Sequence, residues 1–140
     1  MIIAIHIIAV GVWLGCVLTE ALFERALLGT SRENETILAK LHQRVDLFVE
    51  IPAFVIVVCT GVILVLDQPA SVWLTIKIAF GIIAVVANIY CVHLVFQRVK
   101  HSNEGNWKAF EHTDHLQHKV GAIVLLGILG ATIVGILAIA

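Results

Sequence analysis

Apolar stretches about twenty residues long recur along this chain. Such a stretch occurs four times in the 140 residues, and about twenty residues of helix, at roughly 1.5 Å per residue, cross roughly 30 Å of hydrocarbon. The composition agrees, because 60% of the residues are hydrophobic and 14% are charged, which is unlike a soluble domain of this length. The sequence therefore predicts an all-α, polytopic membrane protein with spans near residues 2–25, 42–66, 72–98 and 117–139.

Short polar segments separate the four stretches. Residues 29–34 and 102–106 are polar, and Asp67-Gln68-Pro69 is typical of a tight turn. Connections of this length favour an antiparallel four-helix bundle in a single domain over residues 1–140. We expect the first stretch to be a retained span and not a signal peptide, because charged residues follow it where a cleavage site would need small ones.

Basic residues are concentrated at one end of the predicted bundle. Eight of the nine Lys and Arg residues lie near the first and third connections, and only Lys77 lies toward the opposite end. The positive-inside rule then predicts a multi-pass protein of a prokaryotic inner membrane with both termini outside the cytoplasm. The net charge of -1 and the lack of a basic stripe give no indication of a nucleic-acid partner.

Six of the seven histidines lie at this same basic end, together with most of the carboxylates. Polar side chains near hydrocarbon are costly and usually face a site, a pathway or one another. Glu20, Glu50, His93 and His118 lie at similar depths in the four predicted helices. One polar residue from each helix at one level is the geometry from which metal sites in helix bundles are built.

Helical spacing groups the candidate ligands, and it leads to a metal-site hypothesis. Glu20 and Glu24 are four residues apart, His42, Asp46 and Glu50 repeat at four, and His112, His115 and His118 repeat at three. Imidazole and carboxylate ligands suit iron, zinc, copper or manganese better than calcium or magnesium. The residues of this non-haem transition-metal hypothesis are Glu20, Glu24, Asp46, Glu50, His42, His115 and His118.

The same imidazoles suit a b-type haem in electron transfer or redox chemistry, which is the function the sequence alone favours. A low-spin haem needs two axial ligands from opposite faces, and His93 or His42 facing His115 or His118 would supply them at the basic end. At the other end His6 is the available ligand, and Lys77 either snorkels outward or pairs with an anion such as a haem propionate or Asp67. The candidate haem-binding residues are His6, His42, His93, His115, His118 and Lys77.

Three short motifs resemble a known group of membrane proteins. Residues 6–15 (HIIAVGVWLG), Thr60-Gly61 and residues 73–77 (WLTIK) resemble the small proteins around the CopD copper-resistance domain and the HemJ-type protoporphyrinogen oxidases. The resemblance covers roughly the first three helices. It implies a bundle that handles b-type haem or copper, with His6 and Lys77 matching the histidine and lysine of the HemJ-type pattern.

The chain also departs from that pattern. The histidines at 112, 115 and 118 are not part of it, and the Asn-Glu-x-Pro stretch expected before the last helix is missing. The resemblance therefore does not extend porphyrinogen oxidation to this chain.

Two further patterns concern packing. Gly127, Ala131 and Gly135 repeat at four residues and form a small-residue surface that either seals this bundle or makes a homodimer or larger membrane complex. Three single cysteines, odd in number and without C-x-x-C spacing, are expected to be packing residues. A third hypothesis for the whole chain is a non-catalytic structural subunit of a membrane complex, which would carry neither haem nor metal.

Overall fold

The computed structural model describes residues 1–66 and 68–138. It contains α1 (Ile2–Leu27), α2 (Arg32–Val45), α3 (Ile51–Leu66), α4 (Val72–Asn103) and α5 (Trp107–Leu137). A π-helical turn, Asp46–Glu50, joins α2 to α3 in one continuous helix. No strand occurs among the described residues.

Four helices are long and apolar enough to cross a membrane. They are Ile2–Leu27, Arg32–Leu66, Val72–Asn103 and Trp107–Leu137. The predicted all-α, multi-pass membrane fold is therefore confirmed. Asp67, and with it part of the predicted Asp67-Gln68-Pro69 turn, lies outside the described residues, as does residue 139 at the end of the last predicted span.

Two helices begin earlier in the chain than the apolar stretches predict. The predicted second span begins at residue 42, but its helix begins at Arg32, where Ser31 accepts a hydrogen bond from the Asn34 N–H at 3.1 Å. The last helix likewise begins at Trp107, where Asn106 caps the Ala109 N–H at 3.2 Å. Hydropathy marks only the part of a helix that is apolar, so these capped polar turns are not visible in it.

The two ends of the bundle differ in charge and in the connections that they contain. At one end, which we call the charged end, α1 terminates before Gly29, which has a φ of 75°, α2 begins, and α4 connects to α5. At the other, which we call the termini end, α1 begins and α5 ends, and α3 connects to α4.

The exterior of the bundle is apolar. Large side chains such as Ile8, Val62, Val86 and Leu126 are exposed along the helices. Inside, the apolar core is small and centres on the cluster Trp13, Ala53, Ala84, Val124 and Ile128. An apolar surface around such a small core is what contact with lipid requires.

Glycines of α5 allow α4 to approach closely. A Cβ at Gly127 would lie 2.8 Å from the Ala84 Cβ, and one at Gly135 would lie 3.2 Å from the Lys77 Nζ. Two members of the predicted small-residue surface therefore pack within the chain against α4, and Ala131 between them is half-buried. This surface seals the bundle, as one of the two sequence alternatives expected.

The π-helical turn ends two residues before Pro52. At its end the Ile51 N–H donates to the Asp46 carbonyl, five residues back. Proline lacks an N–H and crowds the carbonyl four residues earlier, so a regular α-helix is strained at this point. The turn takes up an extra residue there, and it places the buried side chains of Asp46 and Glu50 at its two ends.

Candidate metal centre

Nine polar side chains are buried between the helices toward the charged end, and we call them the polar cluster. Each is less than a tenth exposed. They come from all four membrane-spanning helices, so a chain with few charged residues still gathers many of them in one region. The cluster consists of Glu20, Glu24, His42, Asp46, Glu50, Asn88, Arg98, Asp114 and Gln117.

His42 lies at the centre of the cluster, with a carboxylate at each ring nitrogen. Its Nε2 lies 3.1 Å from Glu20 Oε2 and 3.7 Å from Asp46 Oδ1. Its Nδ1 lies 3.1 Å from Glu24 Oε1. The ring is thus fixed from both sides, and its Nε2 points at two oxygens from different helices.

Arg98 holds the outer part of the cluster together. The guanidinium is fully buried and donates to Glu24 Oε1 at 2.7 Å, to Asp114 Oδ1 at 2.8 Å and to Gln117 Oε1 at 3.1 Å. It therefore connects α4 to both α1 and α5. Removal of one partner from such a buried pair leaves an uncompensated charge in a medium of low dielectric constant.

Several oxygens of the cluster have no hydrogen-bond partner among the described residues. They are Glu20 Oε1, Glu24 Oε2, Asp46 Oδ2 and Glu50 Oε2. Five carboxylates are buried in the cluster, and Arg98 is the one guanidinium buried with them in the described chain. Because burying an uncompensated carboxylate is costly, this region needs additional positive charge, either as protons or as a bound cation.

A cavity of about 230 Å³ opens onto these oxygens. Its polar walls include Glu20, Glu24, His42, Asp46 and Glu50, and its apolar walls include Val17, Val92 and Val124. A water molecule occupies roughly 30 Å³ in the liquid. The cavity therefore has room for an ion together with several waters.

Among the described residues, two groups of three side chains could hold a metal ion. In each group the three candidate ligand atoms lie within 4.8 Å of one another. The buried group is Glu20, His42 and Asp46, and the outer group is Glu24, Asp114 and His118. Bonds of about 2.0 to 2.2 Å from nitrogen or oxygen to a metal separate neighbouring ligands by up to about 4.4 Å. The two contacts of His42 Nε2 already lie within that separation.

The structure brings together five of the seven residues named in the metal hypothesis. Glu20, Glu24, Asp46, Glu50 and His42 belong to the polar cluster, and His118 lines the same cavity from its edge with a side chain that is 45% exposed. His115, one turn earlier on α5, is exposed.

The candidate haem ligands are more dispersed. His93 is exposed and stacks on Tyr90 with a ring separation of 6.4 Å. His6 lies at the termini end, where its Nδ1 is 2.8 Å from Thr60 Oγ1, and Lys77 packs there against Gly135. Of the predicted axial ligands, His42 and His118 alone reach the cavity.

Four members of the polar cluster were not among the candidates that the sequence suggested as ligands. Asn88 accepts a hydrogen bond from Trp13 Nε1 at 3.2 Å, and Asp114 and Gln117 both bind the buried Arg98. A signal was present for two of them. Asn88 is an amide in mid-span, and Arg98 is a basic residue inside an apolar stretch, and each is costly in hydrocarbon without a partner.

Comparison of the chain with protein-family models, with curated proteins and with solved structures found no match.

Proposed function

We propose that this protein binds one transition-metal ion inside the membrane, through Glu20, His42 and Asp46, with Glu50 as a further oxygen ligand. The ion would bind at the wall of the cavity, within the charged half of the bundle. The proposed function is that of a membrane metalloprotein whose ion is held for redox chemistry.

The observation that carries this proposal is the set of three carboxylate contacts around His42. A histidine that binds a metal through one ring nitrogen commonly donates its other N–H to a carboxylate, which fixes the ring and its tautomer. Here Nδ1 faces Glu24, which Arg98 holds in turn, while Nε2 faces Glu20 and Asp46. The ring is therefore oriented as a metal ligand requires, with two carboxylates beside the coordinating nitrogen.

The charge of the polar cluster supports a cation at this position. The oxygens without a partner in the described structure include those of Asp46 and Glu50, whose side chains are almost completely buried. A divalent ion would compensate two of the buried negative charges. It would also provide a partner for oxygens that are otherwise desolvated at a cost of a few kcal/mol each, roughly 1 to 3 by mutational measurements.

The ligand types favour iron or manganese. The proposed set contains one imidazole and three carboxylates, without a thiolate. Oxygen-rich sites with an imidazole suit Mn²⁺ and Fe²⁺, whereas copper is favoured by softer or nitrogen-rich sites. Both ions are redox-active, which is consistent with the redox function expected from the sequence.

We also propose the orientation and location that the basic residues predict. Lys and Arg concentrated at the charged end favour a cytoplasmic position for that end, in the inner membrane of a prokaryote. Both termini would then lie outside the cytoplasm, and the ion would bind near the cytoplasmic face.

Haem b stays a prediction, and a structural subunit without a cofactor stays the third hypothesis. An absorption spectrum and elemental analysis of the purified protein separate all three. A Soret band that shifts on reduction supports haem, and about one iron or manganese ion per chain without that band supports the proposed centre. A colourless, metal-free protein that also fails to bind added Mn²⁺ supports the structural role.

Substitution of single histidines tests where the ion binds. His42→Ala removes the central nitrogen, and we expect metal affinity to fall at least 100-fold, more than the roughly 10- to 100-fold typical of residues that only orient a ligand. His112→Ala is the matched control, because His112 is exposed on α5. Titration of the stripped protein with Mn²⁺ gives both affinities, and equal values for the two variants would refute the proposed site.

A further inference from the structure

We propose that the outer group, Glu24, Asp114 and His118, is a loading site through which the ion reaches the buried centre. This inference rests on the proposed metal centre. It assigns the outer group a transient role in uptake and leaves the resident ion at Glu20, His42 and Asp46.

His118 is oriented to receive an ion. Its Nδ1 lies 2.8 Å from the backbone carbonyl of Asp114, one turn back on α5. A ring nitrogen at this distance from a carbonyl carries the proton, so the lone pair is on Nε2. That Nε2 lies 4.0 Å from Glu24 Oε2, a separation that one metal ion can bridge.

Glu24 links the outer group to the buried centre. Its Oε1 contacts His42 Nδ1 at 3.1 Å and Arg98 at 2.7 Å. Its Oε2 is buried, has no hydrogen-bond partner in the described part of the chain and faces His118. One carboxylate therefore orients the central histidine with one oxygen and is available to an incoming ion with the other.

Both groups contribute side chains to the wall of one cavity, and His118 of the outer group is the exposed member. His118 forms part of the wall that also contains Glu20, His42 and Asp46. The His118 side chain is 45% exposed, whereas those of the buried group are less than 10% exposed. An ion bound at His118 is thus accessible from outside the bundle and shares a continuous space with the buried ligands.

Arg98 makes the outer group a weak site. Its guanidinium donates to carboxylate oxygens of both Glu24 and Asp114. A fixed positive charge beside two of three ligands repels a dication and already compensates their charge. In the buried group Glu20 and Asp46 have no arginine contact among the described residues, so an ion is held more tightly there.

The loading role predicts a change in rate without a change in the final complex. Metal-free protein in detergent is mixed with Co²⁺ in a stopped-flow instrument, and the visible absorption of bound Co²⁺ is followed. For His118→Ala we expect loading about tenfold slower than in the unaltered protein, equivalent to about 1.4 kcal/mol in the barrier. The final spectrum and the stoichiometry should be unchanged.

His115→Ala is the matched control, because it removes an exposed imidazole three residues away on the same helix. It should load at the rate of the unaltered protein. Equal rates for the two variants would overturn the loading role. A changed final spectrum or lower stoichiometry in His118→Ala would also overturn it, since His118 would then bind the resident ion.

Gly121→Leu tests the route independently of any ligand. Gly121 lines the cavity one turn beyond His118, and a Cβ there meets nothing within 4 Å. The larger side chain should fold without a clash, fill part of the cavity and slow loading. Gly81→Leu, also without steric contact at its Cβ but on α4 away from the cavity walls, is its control, and equal loading rates in these two variants would exclude the cavity as the route.

The same measurements distinguish failure of the proposed metal centre from failure of the loading site. If the unaltered protein takes up no Co²⁺ and no Mn²⁺, the metal centre itself is refuted. If it takes up one ion per chain at a rate that neither His118→Ala nor Gly121→Leu changes, the centre stands and the loading site is refuted.

Discussion

The two ends of this bundle treat their polar groups in opposite ways, with a partly buried pair at the termini end and fully buried side chains at the charged end. At the termini end, His6 donates to Thr60, whose hydroxyl donates in turn to the Ile56 carbonyl at 2.6 Å. At the charged end, carboxylates from two helices surround one histidine, and several of their oxygens have no partner in the described structure. Both ends contain imidazole near hydrocarbon, so imidazole alone does not mark a site.

The difference shows which property is informative about function. A hydrogen bond between neutral groups satisfies a buried pair locally and needs nothing further. An excess of buried carboxylate over buried cation is unstable unless a proton or a metal ion is added. The charged end is therefore where a proton or a bound cation is required, and substitutions at the two ends test the contrast between them.

Loss of Arg98 should have the largest effect on the free energy of unfolding. Arg98→Met keeps much of the side-chain length but leaves Glu24 and Asp114 without their buried cation, and we expect the metal-free protein to lose about 3 to 5 kcal/mol of unfolding free energy. Arg44→Met, at an exposed position, should change it by less than about 0.5 kcal/mol. Denaturation of both variants in the same detergent measures the difference. Similar stability would show that the charges of the cluster are not held as the structure indicates.

Substitution of Glu50 should have an intermediate effect on the free energy of unfolding. Its sign should be opposite to that of the Arg98 substitution. Glu50→Gln removes one buried carboxylate that lacks compensation, so we expect the metal-free protein to become more stable by about 1 to 3 kcal/mol. Metal affinity should fall at the same time, because one oxygen ligand loses its charge. Denaturation without metal and Mn²⁺ titration test the two halves of this prediction.

The exposed Glu104 provides the control for that variant. Glu104→Gln should change neither the unfolding free energy nor the affinity. A loss of stability in metal-free Glu50→Gln would mean that Glu50 is already satisfied, and the contrast between the two ends would disappear.

The smallest effect on the free energy of unfolding is expected for a substitution at the termini end. His6→Ala removes one hydrogen bond to Thr60, which should cost about 1 kcal/mol of unfolding free energy, and it should leave Mn²⁺ affinity unchanged. Metal titration and denaturation of this variant give both quantities. A lower metal affinity in His6→Ala would place a ligand at the termini end and contradict the assignment of the site to the charged end.

Much of the fold and part of the site were predictable from the sequence. Apolar length alone gives the four spanning helices, and depth together with four-residue spacing identified Glu20, His42, Asp46 and Glu50. The partners of Arg98 were not predictable in the same way. Depth restricts a residue to a level in the membrane, but the direction in which its side chain points depends on how the helices are rotated against one another.

The histidines of α5 illustrate this limit. Three residues of an α-helix turn through roughly 300°, so each step of three rotates the side chain by roughly 60° from the one before. Residues 112, 115 and 118 therefore span about 120° and do not share one face. His118 reaches the cavity and His115 does not, a choice that depends on the packing of α5 against α4. His93 has a suitable depth too, but α4 turns Asn88 and Arg98 inward and leaves His93 exposed.

The π-helical turn before Pro52 has a consequence for how this chain tolerates insertions and deletions. Because the turn takes up an extra residue, one deletion within it would leave a regular α-helix and change the relative rotation of the flanking segments little. Residues of an α-helix are related by rotations of about 100°, so deleting one residue between His42 and Asp46 would instead rotate everything before the deletion by about that angle relative to everything after it. His42 would then swing away from the wall that Glu50 occupies, although every amino acid with a polar side chain would still be present. The convergence of these two residues is thus encoded in the number of residues between them as well as in their chemical type, and a shortened variant would lose it with its composition almost intact.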